Sequence, residues 1–177
     1  MAQTKWTLDT THSSVDFSVR HMMIANVKGT FNKFEATIEA DPTDLTTANI
    51  EFLVDTASVD TRNQDRDGHL VSADFFDAAN HPSMTFHSTK IEKTDDGEYN
   101  VTGDLTLRGV TKPETFAVTF EGQGKDPWGN EKVGFSAEGT INRSEYGLVW
   151  NAALETGGVL VADKVKINLQ IQAAKAE

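Results

Sequence analysis

The chain has 177 residues, 38% hydrophobic and 24% charged, which suits one globular domain over 1–177 with room for a sizeable core and excludes a disordered chain. Its 27 acidic and 16 basic residues leave a net charge of −11, which repels phosphate backbones and anionic lipid headgroups. Nucleic acid and direct membrane insertion are therefore disfavoured, and the absence of cysteine removes disulfides, thiolate metal sites and a cysteine nucleophile.

Met1 to Asp9 contains no apolar core of a signal peptide, and no window approaches the ~20 apolar residues of a membrane-crossing helix. The expected location is cytoplasmic. From there the dominant pattern is period-two alternation, the mark of a half-buried strand. Val15, Phe17 and Val19 alternate with Ser14, Asp16, Ser18 and Arg20. Between Phe31 and Phe34 the apolar parity switches, which predicts a β-bulge near Asn32 and Lys33. Ile50 to Val54 alternates again. Arg62 to Ser72 favours a helix opened by Asp60 or Thr61, weakened by Gly68.

Met84 to Phe86 returns to strand, and Asp95-Asp96-Gly97 predicts a hairpin turn into Val101, Gly103, Leu105 and Leu107. Arg108 to Pro113 reads as a short connection, Phe116 to Phe120 as strand, and Asp126-Pro127-Trp128-Gly129-Asn130 as a longer hairpin loop. Val133 to Ile141 alternates. Ser144 to Ala162 reads as an apolar-rich loop, and Val165, Ile167, Leu169, Ile171 and Ala173 alternate with polar residues to the end.

About eight strands result, several longer than the usual 5–6 residues. Long antiparallel strands with one apolar face pack sheet on sheet or close into a barrel, and eight strands enclose about enough width for one slender ligand. The inward positions mix large residues (Phe17, Phe31, Phe116, Phe135) with small ones (Gly103, Ala137, Gly139, Ala173). Either large residues opposite fill the spaces, as in most small barrels, or a ligand does.

Signs of catalysis are thin. Asp9, His12, Ser13 and Ser14 suggest a triad only superficially, because neighbours along a strand point to opposite faces and no G-x-S-x-G elbow occurs; an Asp-x-x-His turn capping a strand is the plainer reading. His12, His21, His69, His81 and His87 lack the close pairs of a zinc site. His21 shares the inward parity of Val19, so it either pairs within the protein or meets a ligand headgroup. Asp65, Asp67 and Asp74 with Arg62 and Arg66 read as a solvated helical face. Glu121-Gly-Gln-Gly-Lys125 lacks the remainder of a nucleotide fingerprint.

Several segments, in order, resemble the YceI-like family of lipocalin-like, polyisoprenoid-binding proteins. They are Asp9 to His21, Val27-Lys-Gly29-Thr-Phe31, Arg66 to Asp77 with Pro82 and Phe86 after it, Gly103 to Pro113, Arg143-Ser-Glu-Tyr146-Gly147-Leu148, and Asp163 to Ile167. The resemblance implies an extended eight-stranded antiparallel barrel with one short helix, an apolar tunnel, and a long isoprenoid amphiphile inside, such as a prenyl quinone or polyprenyl compound. The tunnel lining expected on that basis comprises Phe17, Val19, Phe31, Ile50, Phe52, Leu70, Phe75, Phe76, Met84, Phe86, Leu105, Phe116, Phe120, Phe135, Leu154 and Ile167. His21 and Arg143 are the expected headgroup contacts, and Tyr146 and Trp150 the expected lid. No catalytic residue, metal or cofactor is expected; a homodimer is compatible. The rival readings are an enzyme acting on an isoprenoid in the tunnel and an interaction module with a filled core.

Overall fold

Period-two alternation forces side chains onto opposite faces of each strand, and here it yields strands that curl until the sheet meets itself. The computed structural model describes residues 4–41, 43–151 and 160–176. In chain order they form β1 (Thr4–Leu8), β2 (Ser14–His21), β3 (Ala25–Phe31), β4 (Phe34–Asp41), β5 (Asp44–Asp55), β6 (Val59–Asp60), helix α1 (Gln64–Leu70), β7 (Ser83–Asp95), β8 (Glu98–Leu107), β9 (Val110–Lys125), β10 (Glu131–Asn142) and β11 (Val161–Lys175).

All pairings are antiparallel, in the order β1-β4-β5-β7-β8-β9-β10-β11-β2-β3-β6, and β1 also pairs with β11 to close the ring. Three staves of the barrel are interrupted. β1 and β2 lie along the same edge of β11, β3 and β4 run beside them, and β6 continues β5. Joined this way, the pieces make a closed eight-stranded antiparallel barrel with one helix.

The parity switch after Phe31 marks a break in the stave, not a bulge within one strand. Asn32 and Lys33 are outside both β3 and β4 and face a 3-10 turn at Thr56–Ser58 on the neighbouring stave. The Asn32 amide donates to the Ser58 carbonyl and the Asp55 amide to that of Lys33, so the backbone stays satisfied across the gap. The helix is shorter than its sequence pattern and starts later. Asn63, not Thr61 or Asp60, is its cap, accepting from the Arg66 amide. Asp60 instead ends β6 and Thr61 follows it, where Asp67 accepts from the amide and hydroxyl of Thr61.

Turn chemistry closes the hairpins at Asp96-Gly97 and Asp126 to Asn130 as the sequence indicates, but the Arg108 to Pro113 connection shrinks to Arg108-Gly109, because Val110 to Pro113 already pair with β8 as part of β9. Gly97 has φ +71°, and Arg108 and Gly109 have φ +51° and +77°, the handedness a tight hairpin needs.

Three buried clusters stack along the axis. One, around Trp6, Ile38, Leu45, Val133 and Ile171, fills the end where the indole of Trp6 donates to the Ala40 carbonyl. A second, around Phe75, Leu107, Ile141, Tyr146 and Leu148, and a third, around Val15, Phe31, Val54 and Val59, lie toward α1. No void lies at Gly29, Gly103 or Gly139 themselves. A Cβ on Gly29 would lie 2.4 Å from the Phe17 ring, one on Gly139 2.5 Å from Phe116, and one on Gly103 2.5 Å from Phe86. Each small residue seats an aromatic ring from a neighbouring strand.

Two glycine substitutions should separate with opposite signs in urea unfolding. Gly103→Ala would put its Cβ 2.4 Å from the His87 carbonyl oxygen, which is backbone and cannot swing away; a loss of about 2 kcal/mol is expected. Gly68 is helical with open space around it, so Gly68→Ala should gain about 0.5–1 kcal/mol.

Candidate functional site

Two apolar chambers lie end to end inside the barrel. The lower one, about 150 Å³, is walled by Ile50 and Phe52 on β5, Phe86 on β7, Leu105 on β8, Phe116 on β9 and Phe135 on β10, with Ile38, Leu45, Tyr99, Val101, Ala137, Leu169 and Ile171. The upper one, about 420 Å³, is walled by Phe17, Val19, His21, Phe31, Leu70, Phe75, Phe76, Arg143 and Trp150. Val15, Met84 and Ile167 border both chambers and form the waist between them.

Thus most of the residues singled out from the sequence converge on one axis. Phe120 does not reach it: its ring packs on Phe135 at 5.4 Å in the cluster around Trp6. Tyr146 is also off the axis, wholly buried in the wall, with its hydroxyl donating to the Glu114 carboxylate. It is a wall residue where a lid residue was expected. Leu154 lies outside the described residues. Trp150 stands over the upper chamber, with its ring 5.6 Å from Phe75 and 4.7 Å from His69.

Arg143 borders the upper chamber, but its guanidinium is engaged by backbone. Nε donates to Ala162 O, Nη1 to Leu148 O and Trp150 O, and Nη2 to Val161 O, at 2.6–3.2 Å. Asp163 is the nearest carboxylate, at 3.9 Å. Burial pushes the Arg143 pKa down and Asp163 only partly offsets it. With its donors directed at carbonyls, Arg143 braces the rim and is poorly placed to greet a headgroup.

The polar groups that do face the upper chamber come from residues the sequence reading passed over as a solvated face or a bland histidine: Asp65, Arg66 and His69. Asp65 and His69 are four apart on α1, hence on one helix face, and that spacing was the signal available. Thr61 fixes Arg66 through Nε and Nη2, both at 2.8 Å, and Asp74 holds the His69 ring at 2.9 Å. The lower chamber offers no comparable group: its lining is aliphatic and aromatic apart from Thr85 and the phenol of Tyr99.

The Asp9–His12 turn is structural. Asp9 accepts from the amide and hydroxyl of Thr11 and pairs with His12 Nδ1 at 2.8 Å, contacts that hold its carboxyl well below the usual range. The Ser13 hydroxyl donates to Gln172 O and accepts from Gln172 N, so it is a strand-pairing group. Among the described residues no three His, Asp or Glu side chains converge as metal ligands, and no helix is long and apolar enough to cross a membrane.

A family model described as the YceI-like domain matches residues 6–173. The chain belongs to the YceI-like family. A UPF0312 protein of Staphylococcus epidermidis is 43% identical over 164 residues, covering 92% of this chain and 93% of the relative. Among solved structures, BcnA of Burkholderia cenocepacia superposes with a TM-score of 0.82 at 28% identity, covering 93% of this chain and 98% of that one. A polyisoprenoid-binding domain from Saccharophagus degradans shares the fold at a TM-score of 0.71 and 13% identity, covering 97% and 98%. The YceI-like barrel therefore persists while most side chains change.

The Tyr146–Glu114 contact gives a pH signature. Burial, then the Glu114 bond, raises the Tyr146 pKa far above its ordinary value. A phenol that holds its proton more tightly when folded contributes stability below the unfolded pKa of about 10 and loses it as pH rises beyond that. Tyr146→Phe should cost about 1.5–3 kcal/mol at pH 7, the range for a hydrogen bond to a charged group, and should flatten the alkaline fall in stability. Denaturant unfolding from pH 7 to 11 measures both.

Proposed function

We propose that this YceI-like barrel binds and carries, or sequesters, one long-chain isoprenoid amphiphile, its tail threaded through the waist into the lower chamber and its polar head at the upper rim. The observation that carries the reading is the difference in polarity between two chambers that share Val15, Met84 and Ile167 in their walls. The lower chamber is almost wholly apolar, whereas the upper one adds Asp65, Arg66 and His69. A molecule that matches this difference has a long hydrocarbon end and a compact polar end.

The Saccharophagus degradans domain that shares the fold is a polyisoprenoid-binding domain, which supports the choice of an isoprenoid over a straight acyl chain. Prenyl quinones and polyprenyl compounds both fit this chemistry. Burial of apolar surface supplies the affinity, at about 25 cal/mol per Å². The ligand-contact set is then the described lining residues, with the rim group of Asp65, Arg66 and His69 replacing Arg143 as headgroup contacts, and His21 beside them. Binding without catalysis is favoured because the ionisable groups with displaced pKa values (Asp9, Asp41, Asp60, Asp126, Arg143 and Tyr146) are each explained by local bonds or burial in the scaffold.

The reading is tested by filling the lower chamber. Phe17 is a poor probe, because its ring is already seated on Gly29 and a larger one would strain the wall. Ala137 borders the lower chamber opposite Leu169. Ala137→Phe should retain the fold, lose retention of long-tailed prenyl quinones and keep that of short-tailed ones, measured by native mass spectrometry after loading. A wild-type protein that retains no prenyl quinone, in which Ala137→Phe costs the ~1–3 kcal/mol typical of overpacking, would mean that the interior is simply a core.

A further inference from the structure

The end of the barrel that carries the upper chamber also carries an exposed apolar turn. Met22, Met23 and Ile24 link β2 to β3 and are 45%, 53% and 75% exposed. The Ile24 amide donates to the His21 carbonyl, and Met22 and Met23 both have positive φ, +55° and +64°. This is the handedness of a type I′ turn, in which Asn-Gly is the favoured pair and two methionines are strained. Nothing in the packing of the barrel calls for methionine there, since the side chains stand in solvent.

The turn adjoins the chamber directly. His21, on its lining, is the preceding residue, and the Met22 amide donates to Leu160, which also lines it. Val149, 67% exposed, lies on the segment that Asn151 ties to Val161. The apolar surface thus rims the entrance side of the cavity.

Charge beside the turn runs against the protein's overall −11. On the outer face, Lys166 of β11 is aligned with Ser18 of β2, and Ser18 with Lys28 of β3. Arg20 lies two residues from Ser18 on the same face, and Lys164 two residues from Lys166. All four cations are exposed, and none forms an ion pair among the described residues; Arg20 donates to the Met23 carbonyl. Two carboxylates stand near them: Asp16, two residues from Ser18 on the same face of β2, and Asp163, which leans toward Arg143. At ~3.4 Å per residue, Arg20 and Lys28 lie within about 14 Å of the turn, close to the reach of charge at physiological salt.

We propose that this end of the barrel docks on an anionic lipid bilayer. Met22, Met23 and Ile24 dip into the interface, the cations Arg20, Lys28, Lys164 and Lys166 face the headgroups, and the upper chamber opens toward the membrane. The inference goes beyond ligand binding and does not depend on which amphiphile the chamber takes. It also qualifies the expectation from net charge, because four exposed cations stand together on this face, with Asp16 among them on β2. A shallow apolar turn next to a basic cluster is the arrangement of an interfacial anchor.

The test is co-sedimentation with vesicles of phosphatidylglycerol and phosphatidylcholine, and with phosphatidylcholine alone, neither containing isoprenoid. The result is therefore independent of ligand retention. The wild type should pellet with the anionic vesicles, more weakly with the zwitterionic ones, and should be released by high salt. Met22→Asn/Met23→Gly/Ile24→Thr should lower partitioning at least tenfold while melting no earlier than the wild type, because it relieves the turn as it removes the apolar surface. Lys28→Gln/Lys166→Gln should weaken binding to anionic vesicles by about fivefold per cation. With no native cysteine, Ile24→Cys can carry an environment-sensitive dye, whose emission should shift to the blue on vesicle addition. A wild type that stays in solution with both vesicle types, or a triple variant that partitions as the wild type does, overturns the proposal.

Discussion

Strand β11 must pair with β10 along one edge and with both β1 and β2 along the other, and the barrel exists only because it does. Its β10 edge is continuous from Lys164 to Ala174. The opposite edge is shared, with β2 taking Val161 to Gln170 and β1 taking Ala173 to Lys175. At the join, residues 9–13 leave the sheet, and Gln172 would be left without partners. Asp9 and Ser13 supply them: the Asp9 amide and the Ser13 hydroxyl both donate to Gln172 O, and Ser13 Oγ accepts from Gln172 N. The turn between them is held by the Asp9 carboxylate on Thr11 and His12. A cluster of residues that superficially imitates a catalytic triad is what keeps the closing strand free of an unpaired edge.

Closure fixes the circumference, and the interior is then filled or left open according to where the large side chains go. Here the aromatic rings are drawn to the wall. Phe17 lies over Gly29, Phe86 over Gly103 and Phe116 over Gly139, each occupying the site of the missing Cβ. A residue larger than glycine at those positions would push the ring toward the axis, into space that now belongs to the chambers. The glycines therefore create the lumen indirectly, by letting rings lie back. At the far end no such relief operates, and Trp6, Phe120 and Phe135 pack together and close the barrel.

This explains which features were legible in the sequence. Alternation in β2, β8 and β11 specified inward faces, because a strand's parity is a local property, and Phe17, Val19, Leu105 and Ile167 were readable from it. Parity does not distinguish a residue on a cavity from one in a plug. Phe120 and Phe135 have equivalent patterns, yet only Phe135 reaches the lower chamber. The break at Asn32–Lys33 was visible as a parity change, but whether it was a bulge or a gap depended on Thr56–Ser58, distant in sequence and turned into a 3-10 helix. Arg143 was marked as a residue of interest. Its role was hidden because its partners are carbonyls, which every residue has and no motif records.

Arg143 joins the two ends of the argument. A buried guanidinium held by neutral carbonyls keeps its charge with little to cancel it nearby, since Asp163 stands 3.9 Å away and is largely exposed. Burial lowers its pKa from a value so high that the group still stays charged. The upper chamber thus has a fixed positive charge behind its wall, and Asp65 on its lining carries the opposite sign. The same guanidinium fastens Leu148 and Trp150 to Val161 and Ala162, the segments that border the turn at Met22. Lysine could supply the charge but not the planar fork that reaches four carbonyls at once. One side chain therefore sets both the shape of the entrance and the potential felt by whatever passes through it.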